Sequence, residues 1–515
     1  MYSCLYNLEL LILGTGKPSF QSYDEPIQPQ TPANYVKQLK GTDVDAIMLC
    51  PTAWKLPLWH SKIIPHWEQD AQNVKEPYFT TELKYHEKAY FRLREFMMAG
   101  NDPVKTAVDE AKKCSIAPFI SYRMNDHHFL DQENAYVHPE FWRKNKNLWL
   151  ENSGHKSAVK YGRFFNYMKE EVREFYFSLL HELVDLYDVE GLELDFMRSP
   201  CYFADEDLEE GRIIMTEFVK RIRNMLNEYG AKRNKRLSLC VRVPLSIEKC
   251  METGLDVVEW DRLKIIDMVN VSSFYISSPY LDINGYKEKI KHSSVYGELH
   301  FIVQQGELYN GYSIDISRKT TREIYRAMAA DYLDRGADGI SVFNMDYTRC
   351  HHLNEPRRLH LKDGEPPFDV LCGITDLNNL LSYDKHYFVG SNFSPLPMQD
   401  NLDLDIYIAD CVENGPFRHA LLRLETEKPC MPAPIETTVN GVVVEEIEWL
   451  GELFVPMSAE CLPRRENVKC YKVPVELLKH GYNKICAKKS PYSLNHANFI
   501  AVEIALYHNN SFLGE

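Results

Sequence analysis

One feature constrains this chain more than any other: up to about residue 350, short apolar, β-branched runs alternate with long stretches of helical periodicity. Parallel strands cannot be joined by tight turns, so such alternation implies parallel βα units. Eight runs stand out: Leu8 to Leu13, Val44 to Cys50, Ile116 to Arg123, Gly191 to Phe196, Leu237 to Val243, Ile266 to Phe274, Leu299 to Val303 and Gly339 to Phe343. Eight units predict a (β/α)8 barrel, with long excursions after the second and third strands. Between the runs, Val172, Tyr176, Leu179, Leu180, Leu183 and Tyr187 fall on one helical face, as do Ile214, Phe218, Ile222, Met225 and Leu226. A helix from about Thr320 stops at Gly336, just before the eighth strand.

From residue 386 the period changes. Leu402, Leu404, Ile406 and Ile408 alternate with Asp403, Asp405 and Tyr407, as in a half-buried strand. Asn440-Gly441 carries a hairpin signal, and further alternating runs cover Phe417 to Leu424, Val468 to Val473 and Phe499 to Tyr507. The expected organisation is a barrel over 1–385 and an all-β sandwich over 386–515. In the barrel part, 351–385, with a helical turn at Leu377 to Leu381, would close the barrel and lead into the sandwich.

A net charge of −15 and the lack of a basic stripe argue against a nucleic-acid partner. Thirteen scattered cysteines, an odd count without CxxC spacing, fit a reducing compartment better than a disulfide framework. Leu8 to Leu13 lacks a basic flank and makes a poor signal peptide, and no run reaches the ~18 apolar residues a membrane span requires. The expectation is a cytoplasmic protein with no membrane partner, or an exported one should a leader precede this start.

In a barrel of this kind, inward residues at the C-terminal strand ends form the active site. On the fourth strand, Glu193 and Asp195 share a face, with Asp195 nearer the mouth. A carboxylate there supplies what glycosidic hydrolysis needs, a nucleophile or proton donor beside an oxocarbenium-like transition state. The alternative is a structural ion pair with Arg123 or Arg198. Glu307, past the expected seventh strand, would face Asp195 across the mouth, or else be a solvated loop residue. A retaining mechanism needs the two carboxyl groups about 5 to 5.5 Å apart, an inverting one about 6.5 to 9.5 Å. Ser121-Tyr122-Arg123-Met124-Asn125-Asp126-His127-His128 offers donors and acceptors for sugar hydroxyls, and Tyr275 and Asn344 add to the rim. Trp54, Trp59, Trp142 and Trp149 either stack on sugar rings or belong to the core.

Arg123, Arg198 and Arg242 fall at the ends of neighbouring strands, a cluster suited to an anionic sugar or to neutralising Glu193, Asp195 and Asp126. No metal is expected: adjacent His127 and His128 should point apart, and no third His or Cys has suitable spacing. Gly14-Thr15-Gly16-Lys17 lacks Walker spacing, and no G-x-S-x-G elbow occurs.

Gly191-Leu192-Glu193-Leu194-Asp195-Phe196-Met197-Arg198 resembles the strand-four segment of uncharacterised bacterial TIM-barrel proteins similar to glycoside hydrolases, including the family-10-like group. Ser121 to Asp126 and Gly336-Ala337-Asp338-Gly339-Ile340 extend the likeness over residues 1 to about 385. The resemblance implies a glycosidase with an Asp or Glu pair and no cofactor, acting on an oligo- or polysaccharide. One departure is that such barrels typically carry Asn-Glu at the fourth strand, where this chain has Leu194-Asp195. The terminal module looks like the β-sandwiches appended to many glycosidases, which bind glycan, support the barrel or join subunits into a homo-oligomer. Two other classes stay open: a non-catalytic glycan-binding barrel, and a lyase or isomerase of sugar acids, which would need a metal or a lysine base at a strand end.

Overall fold

The computed structural model describes residues 1–15, 26–64, 83–133, 135, 137–150, 163–304, 308–309, 312–313, 318–348, 367–390, 401–412, 415–426, 434–448, 451, 453–454, 465–489 and 498–508. Eight strands close a barrel in sequence order: β1 (Cys4–Glu9), β2 (Ala46–Cys50), β3 (Ala117–Arg123), β4 (Gly191–Asp195), β5 (Ser238–Val243), β6 (Met268–Val271), β7 (Ser294–His300) and β8 (Gly339–Phe343). The pairs from β1–β2 to β5–β6 are parallel, as βα connections require.

Residue period two divides the barrel interior into levels. Leu5, Ala46, Met48, Phe119, Cys240, Met268 and Tyr296 form one apolar cluster. One step further along the same faces come buried polar residues, Asn7, Ser121, Glu193 and Asn270. The next step brings Glu9, Arg123, Asp195 and, from β5, Arg242. The barrel is therefore plugged by apolar side chains at one end and by charged ones at the C-terminal strand ends.

Two expected strands lie elsewhere. The first is Cys4–Glu9, and Leu10–Thr15, most of the expected run, is a 3-10 turn whose leucines are as buried as the strand. The seventh is Ser294–His300 instead of Leu299 to Val303. In both cases the true strand carries polar residues on its inner face, so the most apolar run marks the segment after the strand. The remaining expected strands and the helix Arg322–Asp334, capped by Thr321, fall where the pattern put them.

Contacts divide the chain into two compact units. One contains Met1–Phe274, Asp282–Tyr296 and Ser341–His351, and the other Tyr275–Leu281, Gly297–Ile340 and His352–Glu515. The second contains the β-sandwich. Its strands are β9 (Lys385–Gly390), β10 (Asn401–Ile408), β11 (His419–Thr426), β12 (Ile435–Val439), β13 (Val442–Val443), β14 (Glu445–Ile447), β15 (Val468–Val473), β16 (Gly481–Lys489) and β17 (Phe499–Tyr507). They form sheets of order β9-β17-β11-β15-β14 and β10-β16-β12-β13. Asn440 and Gly441 turn the β12–β13 hairpin with φ of 50° and 84°, both left-handed as its twist requires. One core draws on both sheets, with Leu422, Leu424, Val502 and Ile504 from the first and Leu404, Ile406 and Ile485 from the second. Ala327 of the helix Arg322–Asp334 belongs to that same core.

Candidate active site

The mouth is built from the strand ends of the first unit. Asp195 closes β4 in register between Arg123 and Arg242. Its Oδ1 accepts from Arg242 Nη1 at 3.0 Å and from the Met197 amide at 2.9 Å, and Oδ2 has no hydrogen-bond partner among the described residues. Arg242 is fully buried, donates through Nη2 to Ser272 Oγ at 3.0 Å and the Phe274 carbonyl at 2.9 Å, and holds its guanidinium carbon 3.8 Å from the centre of the Phe343 ring. Both Nη atoms are thus engaged within the protein.

Glu193, a level deeper, does not pair with Arg123 or Arg198. Asn270 Nδ2 donates to it at 3.2 Å and Cys240 Sγ approaches to 3.6 Å. Burial, helped by the charge of Asp195, pushes its carboxyl up to about 7, so it is half protonated near neutrality.

Arg123 bridges Glu9 and Asp126, and Tyr347 donates to the other Glu9 oxygen at 2.8 Å. Burial opposes the charge on Glu9, yet Arg123, Arg198 and the Tyr347 hydroxyl hold it below its usual range. Asp126 is a second hub. His128 Nδ1 lies 2.6 Å from its Oδ1, and Lys55 Nζ stands 3.8 Å away. Burial works against this carboxylate too, but His128, Lys55 and Arg123 keep it well below the usual range. Burial takes the His128 imidazolium down to about 3 against the pull of Asp126, so the ring is neutral, and its Nε2 lies 3.3 Å from Arg198 Nη2. Burial and the neighbouring Arg123 push Arg198 down to about 10. The arginines therefore answer to carboxylates and a histidine inside the protein, with Glu9 in the place expected of Glu193.

The histidines do not point apart. Their rings stack at 4.6 Å and 15°, with His127 Nδ1 on the Arg198 carbonyl and Ser199 Oγ and His128 Nδ1 on Asp126. Among the described residues no His, Cys, Asp and Glu group could hold a metal. Asn125 turns its amide to the carbonyls of Cys201, at 2.7 Å, and Phe165, at 3.4 Å, so it pins loops together and does not face the mouth with its donors. Trp54 is 5% exposed, packed on Tyr90 and Phe129, and Trp59, Trp142 and Trp149 are also buried. Asn344 follows β8 in the left-handed region (φ 54°), with its buried Oδ1 lacking a partner among the described residues. Tyr275 belongs to the second unit, edge-on to His300 at 5.7 Å. Glu307 lies outside the described residues.

Sequence reasoning missed Glu9 and Lys55, whereas Tyr347 lies in the strand-eight end Phe343 to Tyr347 read as part of the rim. Glu9 was hidden by the misplaced first strand. Lys55 sits at the tip of a tight hairpin (Thr52–Ala53 with Leu56–Pro57), whose turn uses Trp54 at φ 54°, and no pattern announces it. The described cysteines are all free, and no described helix is long and apolar enough to cross a membrane.

No family model matches the chain, and no curated protein matches it. Among solved structures it is similar to the PgaB (BpsB) glycoside hydrolase domain from Bordetella bronchiseptica, at 8% identity and a TM-score of 0.41, over 67% of this chain and 95% of that one. An α-amylase from Geobacillus thermoleovorans, solved with acarbose, gives 12% identity and a TM-score of 0.40 over 94% and 98% of the two chains. α-L-Fucosidase isoenzyme 2 from Paenibacillus thiaminolyticus gives 13% and 0.40, over 67% of this chain but only 46% of that one. These neighbours are glycoside hydrolases, and the chain itself is an eight-stranded parallel barrel with an appended β-sandwich.

Proposed function

We propose that this protein hydrolyses glycosidic bonds in an oligo- or polysaccharide, with Asp195 as the carboxylate that meets the anomeric carbon. The observation that carries this reading is the unequal use of the two Asp195 oxygens. Oδ1 is anchored by Arg242 and the Met197 amide, which fixes the carboxylate, and among the described residues Oδ2 accepts no hydrogen bond. A pre-oriented carboxylate with one open oxygen suits attack on, or charge stabilisation of, an oxocarbenium-like centre. Glu307 is the second carboxylate proposed on sequence grounds alone, and the role of Asp195 is the same whichever group donates the proton.

The test is a panel of natural and aryl glycosides. Asp195→Asn, with wild-type circular dichroism, is expected to lower turnover about ten-thousand-fold, and Asp195→Gly supplied with azide to release a glycosyl azide. Wild-type turnover by Asp195→Asn would remove the proposal. A glycan-binding protein without catalysis would instead show no turnover at all and lose affinity on the same substitution.

A second reading, proton abstraction from a sugar acid, has one observation of its own. Lys55 is nearly enclosed beside Asp126, and burial pushes its ammonium down to about 8, where an amine works as a base. Solvent deuterium entering a sugar acid without glycoside cleavage would favour it.

A further inference from the structure

We propose that Nε2 of His127 is the proton-transfer atom of the barrel mouth, working with Asp195. This rests on the hydrolytic reading above and names the residue that moves its proton.

The tautomer follows from the neighbours. His127 Nδ1 lies 3.0 Å from the Arg198 carbonyl oxygen and 2.9 Å from Ser199 Oγ. A carbonyl oxygen only accepts, and Ser199 already donates its proton to that same carbonyl. Both neighbours therefore require a hydrogen on Nδ1, which leaves Nε2 as the nitrogen that gains and loses a proton. Nε2 has no hydrogen-bond partner among the described residues, and the ring is half-buried. Stacking on His128 at 4.6 Å and contact with Phe274 at 6.1 Å fix its plane. His128 cannot take this role, since its Nδ1 faces Asp126 and its Nε2 faces Arg198.

The anchor is tied to the carboxylate. Arg198 and Ser199 follow Asp195 by three and four residues, in the segment whose Met197 amide holds Asp195 Oδ1. The charged and titratable groups facing His127 are Asp126, Arg198, Lys55 and His128. Burial, with Arg198 and Lys55 adding to it, outweighs Asp126 and holds the imidazolium below its ordinary range. His127 is therefore a stronger acid than a free histidine when protonated.

The proton balance closes on these two groups. Asp195 Oδ2 bonds to the anomeric carbon as the glycosidic C–O bond breaks, and the departing oxygen takes the proton from Nε2–H of the imidazolium. Water then adds to the anomeric carbon and gives a proton to Nε2 as the bond to Oδ2 breaks, which restores carboxylate and imidazolium.

His127→Asn keeps a donor at the Nδ1 position and removes Nε2. It is expected to retain the wild-type melting temperature and lose about a hundred- to ten-thousand-fold in hydrolysis of an unactivated glycoside. On a 2,4-dinitrophenyl glycoside, whose leaving group needs no proton, it should form the covalent intermediate at near wild-type rate. The fall of wild-type activity as pH rises through the His127 titration should vanish in the variant. His127→Gln is the second variant if the first is unstable. An unchanged pH profile and leaving-group response in both, or their appearance in Glu307→Gln instead, would overturn the assignment. So would a 15N spectrum of the wild type showing the hydrogen of the neutral ring on Nε2. Failure of the hydrolytic reading is distinct, because then the wild-type protein cleaves no glycoside of either kind.

Discussion

At the scale of single residues, burial decides more than residue type. Arg242 and Asp195 are both almost completely buried and 3.0 Å apart, so deleting one charge strands the other. Arg242→Ala is expected to cost about 3 to 5 kcal/mol in urea denaturation and to affect charged and neutral glycans alike, because the guanidinium faces the protein. A selective rise in KM for an anionic glycan would instead make Arg242 a substrate contact. Glu193 gives a pH prediction with a definite sign. Its carboxyl rises from 4.5 to about 7 on folding, so the folded chain binds more protons between those values and loses stability as pH rises through that window. The loss amounts to about 3 kcal/mol at 1.36 kcal/mol per pH unit. Glu193→Gln should remove it, and urea midpoints at pH 5, 6, 7 and 8 will diverge from wild type only if Glu193 is the group concerned. The Glu193 and Asp195 pair was legible in the sequence from period two alone. Arg242 was among the arginines read as neutralising them, whereas Cys240 and Asn270 were not legible, because they reach Glu193 only through strand register.

At the scale of elements, close approach between strands sets the tolerances. Gly191 opens β4 where an added Cβ would stand 2.0 Å from the Ser238 backbone oxygen of β5. Gly191→Ala must push the two strands apart, with an expected loss of about 3 kcal/mol or more and a lower melting temperature. An unaltered melting curve would mean the strands slide cheaply. The first and seventh strands were misplaced for a physical reason. Inside a barrel, the inner face near the mouth is polar, as at Asn7, Glu9, Glu298 and His300, so hydrophobicity peaks just beyond the strand. Asn401–Ile408 is buried on alternate residues and kept its alternation, which is why it was read almost to the residue, whereas Phe499–Tyr507 is buried throughout, with apolar side chains in two clusters.

At the scale of the whole molecule, the second unit joins a helix that precedes β8 to the sandwich. Besides Ala327 in the shared core, Asp334 accepts from Tyr407 and stands 2.8 Å from His480 Nε2. Ala327→Glu would bury a charge in that core, and the expected result is early tryptic cleavage within 386–515 alongside the helix, not after it. Cleavage of the sandwich unchanged from wild type would show that it holds its fold without the helix.

The sequence by itself determined the barrel, the sandwich and the shared inner face of Glu193 and Asp195. Periodicity reports which face of each element is buried, and that is a local property. Only the tertiary structure decided which charges meet. Glu9 and Asp126 share Arg123, Lys55 closes on Asp126 from a hairpin tip, and His127 is held in one tautomer by a carbonyl and a hydroxyl some seventy residues away. These pairings depend on barrel closure and on loops that bring distant segments together, and no spacing along the chain encodes them.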